Sequence, residues 1–587
     1  MEERILVYGI RSFTSGIKLL KRDEDFMGKI DVLIDEEINK QYRSEGFWGD
    51  ATLLDYWLMS VKAYPDKTCV LDGHGGRLTF RELNHLSDKI AACLVNDAGV
   101  EPGDVVSVQL PNWIEFTMIY IAVLKAGAVI NPLIPKFMGS EMAYRMKKCH
   151  SKVLFIANHF AKTDYVKVVS QIMNKLPDLK KVVLVNKENV EMEDVPDKFV
   201  WLDSILEHMM PIEKYIPAKA NDVAVVLFTS GTEGEAKGVM LTHNNIAANM
   251  KGYISMTQLN SNDSMLMPVP IAHASGFMYG VTVPFMVGYK SVLLDKFNAE
   301  DCMKTIEAEK CTAIEGPTVI AVDLLHQIDC APEKYDISSL RYFYCGGSPV
   351  PSTIVEKGLE MGIHILGVYG STESAPHCVV APYHSVEKVL TTDGKPVPGV
   401  RIKVVDQQEN ELGPYEEGEE YSKGPNVFVG YIGEPEMTAA AFDDGWFKSG
   451  DLCHWDNDGY IRITGRKKDI IIRGGENISS AEIEGVLLLH PNIKEAAVVA
   501  YPDERLGERA CAYLVLHHSE QTLELKDIQE HMQSHHVAKY KWPEKIELTD
   551  ALPRNACGKI LKYILKEDIR KKLNIQDIRA KEQPPVV

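Results

Sequence analysis

The run Phe228-Thr229-Ser230-Gly231-Thr232-Glu233-Gly234-Glu235-Ala236-Lys237-Gly238 places three glycines, three hydroxyl residues and one lysine behind the apolar stretch Val223 to Leu227. Glycine lets a backbone turn sharply and pass close to a ligand. Successive N–H groups form an anion nest, hydroxyls add donors, and lysine adds a mobile point charge. Such a loop suits a polyphosphate. Its spacing is not G-x-x-x-x-G-K-[ST], because Gly238 follows Lys237.

Further groups could do chemistry with it. Tyr369-Gly370-Ser371-Thr372-Glu373 follows the apolar run Ile363 to Val368. A strand end carrying an aromatic ring, hydroxyls and a carboxylate is where an open α/β sheet places a ligand. Ser449-Gly450-Asp451 offers a short carboxylate, an acceptor suited to two adjacent donors. Gly465-Arg466-Lys467-Lys468-Asp469 is followed by Gly474-Gly475-Glu476-Asn477 and Glu482-Ile483-Glu484. Taken alone, an Arg-Lys-Lys turn is a solvated basic face. Pro553-Arg554-Asn555-Ala556-Cys557-Gly558-Lys559 ends the set, and an isolated Gly-Lys is a surface turn. Pro270-Ile271-Ala272-His273-Ala274-Ser275-Gly276-Phe277, Gly346-Gly347-Ser348-Pro349 and Thr242-His243 lie between. A core histidine is the plain alternative for His273.

Together these runs resemble, in order across roughly residues 50 to 565, the motifs of the acyl-adenylate-forming (ANL) superfamily. That superfamily holds acyl- and aryl-CoA ligases, peptide-synthetase adenylation domains and luciferases. The resemblance implies that Thr229, Ser230, Gly231, Thr232, Gly234 and Lys237 hold the ATP phosphates. It implies Tyr369 with Gly370 against adenine, Thr372 at the phosphates and Glu373 on Mg²⁺, a hard cation that needs oxygen. Gly346 and Gly347 would flank adenine and the acyl pocket. Asp451 would accept from both ribose hydroxyls, and Arg466 would reach the ribose or phosphate side. Lys468 is the implied hinge, Gly474 and Gly475 the passage for the pantetheine of CoA, and Lys559 the lysine that drives adenylation. His273 would sit near the reacting carboxylate, with Gly276, Phe277, Met278, Thr318, Tyr344 and Cys345 as pocket residues. His243 is left a structural or weak phosphate role. Glu233 and Ala236 depart from the pattern, standing where Thr or Ser, and often Pro, are usual.

The implied reaction is that of an ATP-dependent acid–CoA ligase. An adenylase loading a carrier-protein phosphopantetheine shares every motif, and a luciferase-like oxygenase or a non-catalytic acyl-nucleotide binder are the other readings. The pocket residues are mostly apolar, with no cation for a second carboxylate, so a medium-length, alicyclic or aromatic monocarboxylic acid is expected. Tyr42-Arg43-Ser44-Glu45-Gly46-Phe47-Trp48 resembles the entry of aryl-acid adenylases and of carnitine- or alicyclic-acid CoA ligases. Ala274 stands where dihydroxybenzoate adenylases usually carry Asn.

Elements must hold these residues in place. Thr79-Phe80-Arg81-Glu82 reads as a capping box opening a helix, with Leu83, Leu86, Ile90 and Leu94 on one face. Apolar runs at Val105–Leu110, Val153–Ile156, Val182–Val185, Val223–Phe228, Ser291–Leu294 and Ala313–Glu315 alternate with helical patterns, which predicts a largely parallel sheet covered by helices. From about Gly394 the texture shifts to turns and short strands, a small β-barrel-like subdomain. Ser479-Ser480-Ala481-Glu482 is a second candidate capping box, followed by strands at Ala496–Ala500 and Ala510–Leu516 and a helix around Leu523–Gln533. The expected class is α/β: an extension over 1–49, a large adenylation domain over 50–466, a small mobile α+β domain over 467–572 and a disordered tail over 573–587.

At 587 residues the chain exceeds a single core. Its net charge of −19 argues against nonspecific binding to nucleic acid or anionic membrane. The eleven cysteines form no C-x-x-C pair, so neither a zinc site nor a disulfide framework is indicated, and reduced thiols in a cytoplasmic setting fit. Cys345 and Cys557 read as packing residues. Trp113–Ile134, broken by Glu115, Lys125, Gly127 and Pro132, reads as a buried helix and strand rather than a membrane span. An oligomer is compatible with the sequence.

Overall fold

The structure, a computed structural model, describes residues 35–187, 198–229, 236–332, 334–347, 350–374, 376–474, 476–518, 522–554 and 559–573. The expectations for 1–34, Ser230–Glu235, Ser348–Pro349, Gly475, Asn555–Gly558 and the tail from 574 lie outside the described residues.

Two large sheets form the first part of the chain. The eight-stranded one runs, in order, Gly430–Tyr431, Gly238–Thr242, Val223–Phe228, Val129–Pro132, Val105–Gln109, Val153–Ala157, Lys181–Val185 and Phe199–Trp201. The nine-stranded one has parallel neighbours Lys290–Leu293, Ser264–Met267, Ala313–Gly316, Tyr342–Gly346 and His364–Tyr369 at its centre. These runs are apolar because helices cover both faces of a parallel sheet. The fold is therefore the expected α/β class. Trp113–Ile134 resolves into the buried helix Ile114–Lys125 and the strand Val129–Pro132. Thr79 and Glu82 form the reciprocal capping box at Phe80–Ala92.

Parallel register sets the site. Gly316 pairs with Cys345, and Gly346 with Val368. The carboxyl ends of three adjacent strands thus finish level, and Tyr369 follows at that rim. A side chain at Gly346 would put its Cβ 2.8 Å from the Val368 carbonyl oxygen, so only glycine fits.

A five-stranded sheet follows, built on Arg401–Val405, Gly418–Lys423, Trp446–Trp455, Phe442–Asp443 and Ile461–Arg466. The last sheet joins Glu476–Ser479, Ile470–Arg473, Gly507–Leu516 and Ile493–Asp503, with Lys545–Leu548 alongside. It has two apolar cores of its own, around Ile478, Ile483 and Val498 on one face and Val499, Tyr513 and Ile569 on the other.

Two local features stand out. A strand, not a helix, follows the phosphate-loop run. Gly238–Thr242 turns back antiparallel on Val223–Phe228, and the helix His243–Thr257 starts only afterwards, capped by Thr242 and Asn245. At Ser479 the hydroxyl accepts from Glu482 N at 3.3 Å, but the return arm of the box is missing. The Glu482 carboxylate instead takes Lys541 Nζ at 2.7 Å.

Candidate active site

The phosphate loop is closed at its base: Thr229 N donates to Lys237 O at 2.9 Å, across the end of the hairpin. Lys237 Nζ lies 5.0 Å from the centre of the Tyr431 ring. Tyr431 is registered beside Val239 on the neighbouring strand. Its hydroxyl donates to Glu373 Oε1 at 2.9 Å. Burial and the Glu373 charge together push the Tyr431 phenol up, so it stays a donor. One tyrosine therefore bridges the loop lysine and the carboxylate of the Y-G-S-T-E turn. Glu373 is also pinned through its backbone, since Phe428 N donates to Glu373 O at 2.8 Å. Its Oε2 has no hydrogen-bond partner among the described residues. A half-exposed carboxylate with one oxygen tied back and one open fits a hard divalent cation. Thr372 lies in the same turn and is half-buried, while Gly370 is exposed.

Asp451 and Arg466 stand opposite each other in antiparallel register. Arg466 Nε sits 2.7 Å from Asp451 Oδ1. The Tyr369 hydroxyl donates to Asp451 Oδ2 at 3.0 Å. Burial pushes the Asp451 carboxyl up, and Arg466 opposes that. Gly450, at φ +73°, lies within the strand Trp446–Trp455 at the register shift opposite Glu419 and Tyr421, directly before Asp451.

Lys559 reaches this corner from the C-terminal sheet. Its loop is closed by the Arg554↔Ile560 bridge and by Leu561 N donating to Pro553 O at 2.8 Å. Burial lowers the Lys559 ammonium to about 8, Arg466 and Lys468 add to the depression, and Asp451 and Asp469 oppose it. The same lysine acts on His273, whose imidazole burial and the Lys559 charge lower to about 4, leaving it neutral. His273 Nδ1 faces the Ser275 hydroxyl at 3.0 Å. Lys559, Asp451, Arg466 and His273 thus converge although 286 residues separate the first from the last in sequence. Lys468 lies exposed in the short turn Lys467–Asp469, between a strand of the five-stranded sheet and the first strand of the last. Gly474 takes φ +62° in the turn that follows.

Of the expected pocket residues, Gly276, Phe277, Met278, Tyr344 and Cys345 are buried and Thr318 is half-buried. At Gly276 a Cβ would stand 2.2 Å from Pro270 O, so no side chain is tolerated. Gly276 opens a π-helical turn to Thr282, a departure common at functional sites. Phe277 packs on Tyr120 at 4.7 Å between ring centres, and Met278 is buried beside it in sequence. Thr318 Oγ1 contacts Cys345 Sγ at 3.4 Å. Burial pushes the Cys345 thiol up to about 12, which makes it a packing group rather than a nucleophile. Tyr344 packs on Tyr253 at 5.6 Å. Gly347, at φ +82°, follows Gly346. His243 accepts from Leu53 N at 3.3 Å and is held neutral by burial, at about 4. That is a structural role.

Sequence reasoning missed Tyr431, whose only signal was an aromatic after Gly430 in the turn-rich region. It also missed Glu420 and His377, which lie behind Tyr369.

Glu373 and Asp451 near the carboxyl ends of a parallel sheet, with Lys559 brought up from the last sheet's unit, are the arrangement of an adenylate-forming enzyme. The AMP-binding enzyme family pattern matches residues 58–432, and that of the AMP-binding enzyme C-terminal domain matches residues 482–559. The chain belongs to the AMP-binding enzyme (ANL) family, and within it to the AMP-forming acid–CoA ligases that work through an acyl-adenylate. It is 45% identical over 554 residues to a medium-chain fatty-acid–CoA ligase of Escherichia coli (strain K12), covering 94% of this chain and 96% of that one. ATP-bound MatB from Rhodopseudomonas palustris superposes with a TM-score of 0.80 at 26% identity, covering 89% and 100% of the two chains. The O-succinylbenzoate CoA synthetase MenE from Bacillus subtilis, in complex with ATP and magnesium ion, gives 0.75 at 28% identity, covering 87% and 99%. Among the described residues no helix is long and apolar enough to cross a membrane.

Proposed function

We propose that the protein joins a medium-chain monocarboxylic acid to CoA, releasing AMP and diphosphate, in the cytoplasm. The observation that carries the adenylation step is the electrostatic coupling of buried Lys559 with Arg466, Asp451 and His273. A carboxylate is a poor acyl donor because oxide is a poor leaving group. Its oxygen attacks the α-phosphate of ATP, diphosphate leaves, and the acyl group gains AMP as leaving group. Both reactants are anions, and at about 4 Å two unit charges repel by about 4 kcal/mol at an effective dielectric near 20. Positioning and charge neutralisation are the main task.

In this reading Thr229, Ser230, Gly231, Thr232, Gly234, Lys237 and Thr372 cradle the triphosphate, and Lys559 follows the charge at the α-phosphate. Tyr369, Gly370, Gly346 and Gly347 flank adenine, while Asp451 takes the ribose hydroxyls with Arg466 behind it. Glu373, oriented by Tyr431, would hold Mg²⁺, which when bound neutralises phosphate charge. His273 adjoins the acid carboxylate. The CoA thiol then displaces AMP after the unit beyond Arg466 turns about Lys468, with Gly474 and Gly475 beside the pantetheine.

The medium-chain assignment is supported by the fatty-acid ligase relative, nearly full-length in its match, and by the apolar wall of Phe277, Met278, Tyr344 and Cys345. Diphosphate and AMP release should be assayed over straight-chain, alicyclic and aromatic acids, with and without CoA. Turnover that requires CoA and is highest with medium straight chains supports the reading. Diphosphate release that turns over only with a phosphopantetheine carrier protein replaces it by the carrier-loading alternative.

A further inference from the structure

Two buried polar groups with no part in the steps above lie behind the nucleoside corner. Glu420 and His377 are each 0% exposed. Glu420 lies on Gly418–Lys423, the strand beside Trp446–Trp455, and its carbonyl accepts from the Ser449 hydroxyl at 2.8 Å. His377 N donates to Tyr369 O at 2.8 Å, and its ring meets the Tyr369 ring edge-on at 5.1 Å. Nδ1 of His377 is 3.4 Å from Glu420 Oε1. The other carboxylate oxygen, Oε2, is 3.3 Å from the Tyr369 hydroxyl. That hydroxyl is also 3.0 Å from Asp451 Oδ2, and Arg466 holds Asp451 Oδ1. The phenol therefore stands between two carboxylates, each backed on its far oxygen by a nitrogen base or cation.

A phenol has one proton and can donate it to one acceptor at a time. Neither ring nitrogen of His377, nor Glu420 Oε1, has a hydrogen-bond partner among the described residues. Unpaired polar atoms at such depth cost stability, and apolar residues of the same shape would not. Folding alone gives no reason for the pair. Nucleotide binding does. When ribose hydroxyls occupy the Asp451 carboxylate, Tyr369 loses its nearer acceptor inside a buried site.

The geometry points to Glu420, backed by His377, as the positioning residue for the nucleoside. It accepts the Tyr369 hydrogen bond as Asp451 is given over to ribose, so the ring keeps its place for adenine. This rests on the proposed roles of Asp451 and Tyr369.

The test uses the full chain, with steady-state kinetics for ATP, acid and CoA and direct AMP binding by calorimetry. Glu420→Leu should raise the KM for ATP and the Kd for AMP about five- to tenfold, the effect of one lost hydrogen bond, with kcat and the other KM values within about twofold. Glu420→Gln keeps an acceptor oxygen and should recover most of the loss. Tyr369→Phe should weaken ATP similarly, and adding Glu420→Leu to it should cost nothing more, because the pair acts through the hydroxyl. An unchanged ATP KM in Glu420→Leu, an equal rise for the acid, or additivity with Tyr369→Phe overturns the proposal. Asp451→Asn separates the two levels. If it leaves AMP binding intact, the nucleoside assignment fails and takes this proposal with it. If it weakens AMP while Glu420→Leu does not, only this proposal falls.

Discussion

Asp451 and Arg466 face each other in register across two antiparallel strands, with the guanidinium Nε 2.7 Å from Oδ1. Burial alone pushes the Asp451 carboxyl up, and the arginine keeps it in reach of ionisation. Replacing Arg466 by Met lets that carboxyl rise further. With Asp451 in its proposed ribose role, protonation removes an anionic acceptor, so the KM for ATP should climb as pH falls, and in Arg466→Met it should begin climbing at higher pH and reach about tenfold above wild type. Initial rates against ATP between about pH 5 and 8 check this. Parallel profiles in the two proteins would refute it.

Lys559 behaves in the opposite sense. A cation whose pKa is lowered to about 8 is charged below that value and neutral above it. The kcat/KM for ATP in diphosphate exchange, which reports the free enzyme, should therefore decline as pH rises through about 8. Lys559→Arg, which stays protonated, should lose that alkaline limb. Lys559→Ala should cut adenylation by about 10²–10³-fold and spare thioester formation from supplied adenylate. Full activity in both half-reactions would remove the lysine from the chemistry.

The turn at Lys468 carries a separable expectation. Proline there fixes φ and removes a donor. Lys468→Pro should leave diphosphate exchange near wild type while abolishing acyl transfer to CoA. Single-turnover measurements of each half-reaction distinguish this from a general loss, in which both fall together.

Tyr431 ties Glu373 to the phosphate-loop lysine. Tyr431→Phe deletes a hydrogen bond to a charged group, worth about 1.5–3 kcal/mol. The Mg²⁺ concentration giving half-maximal adenylation should rise by about tenfold or more. An unaltered metal titration would place Glu373 elsewhere in the mechanism.

Gly276→Ala probes packing rather than chemistry. Its Cβ would collide with a backbone oxygen that cannot swing aside. A loss of about 2–4 kcal/mol in urea unfolding is expected. A melt indistinguishable from wild type would mean the turn repacks.

Much of this was legible in the residues. Val105–Gln109, Val153–Ala157 and Val223–Phe228 declare themselves because a strand buried on both faces is mostly apolar, with Ser107 and Gln109 the polar exceptions in the first. The motif carboxylates and Lys559 stand in recognisable runs. Gly238–Thr242 was hidden because a five-residue strand opening on glycine looks like loop before a capped helix. Tyr431, His377 and Glu420 were hidden for a different reason. Their meaning comes from side-chain contacts across gaps of 58, 8 and 51 residues to Glu373 and Tyr369. No local pattern encodes such partners.

The two apolar cores of the last sheet share no residue with the large core. If the unit beyond Arg466 turns as proposed, these cores travel with it intact. Lys559 then parts from the Asp451 carboxylate, a charge–charge contact, so the balance between the two chemical stages should answer to salt.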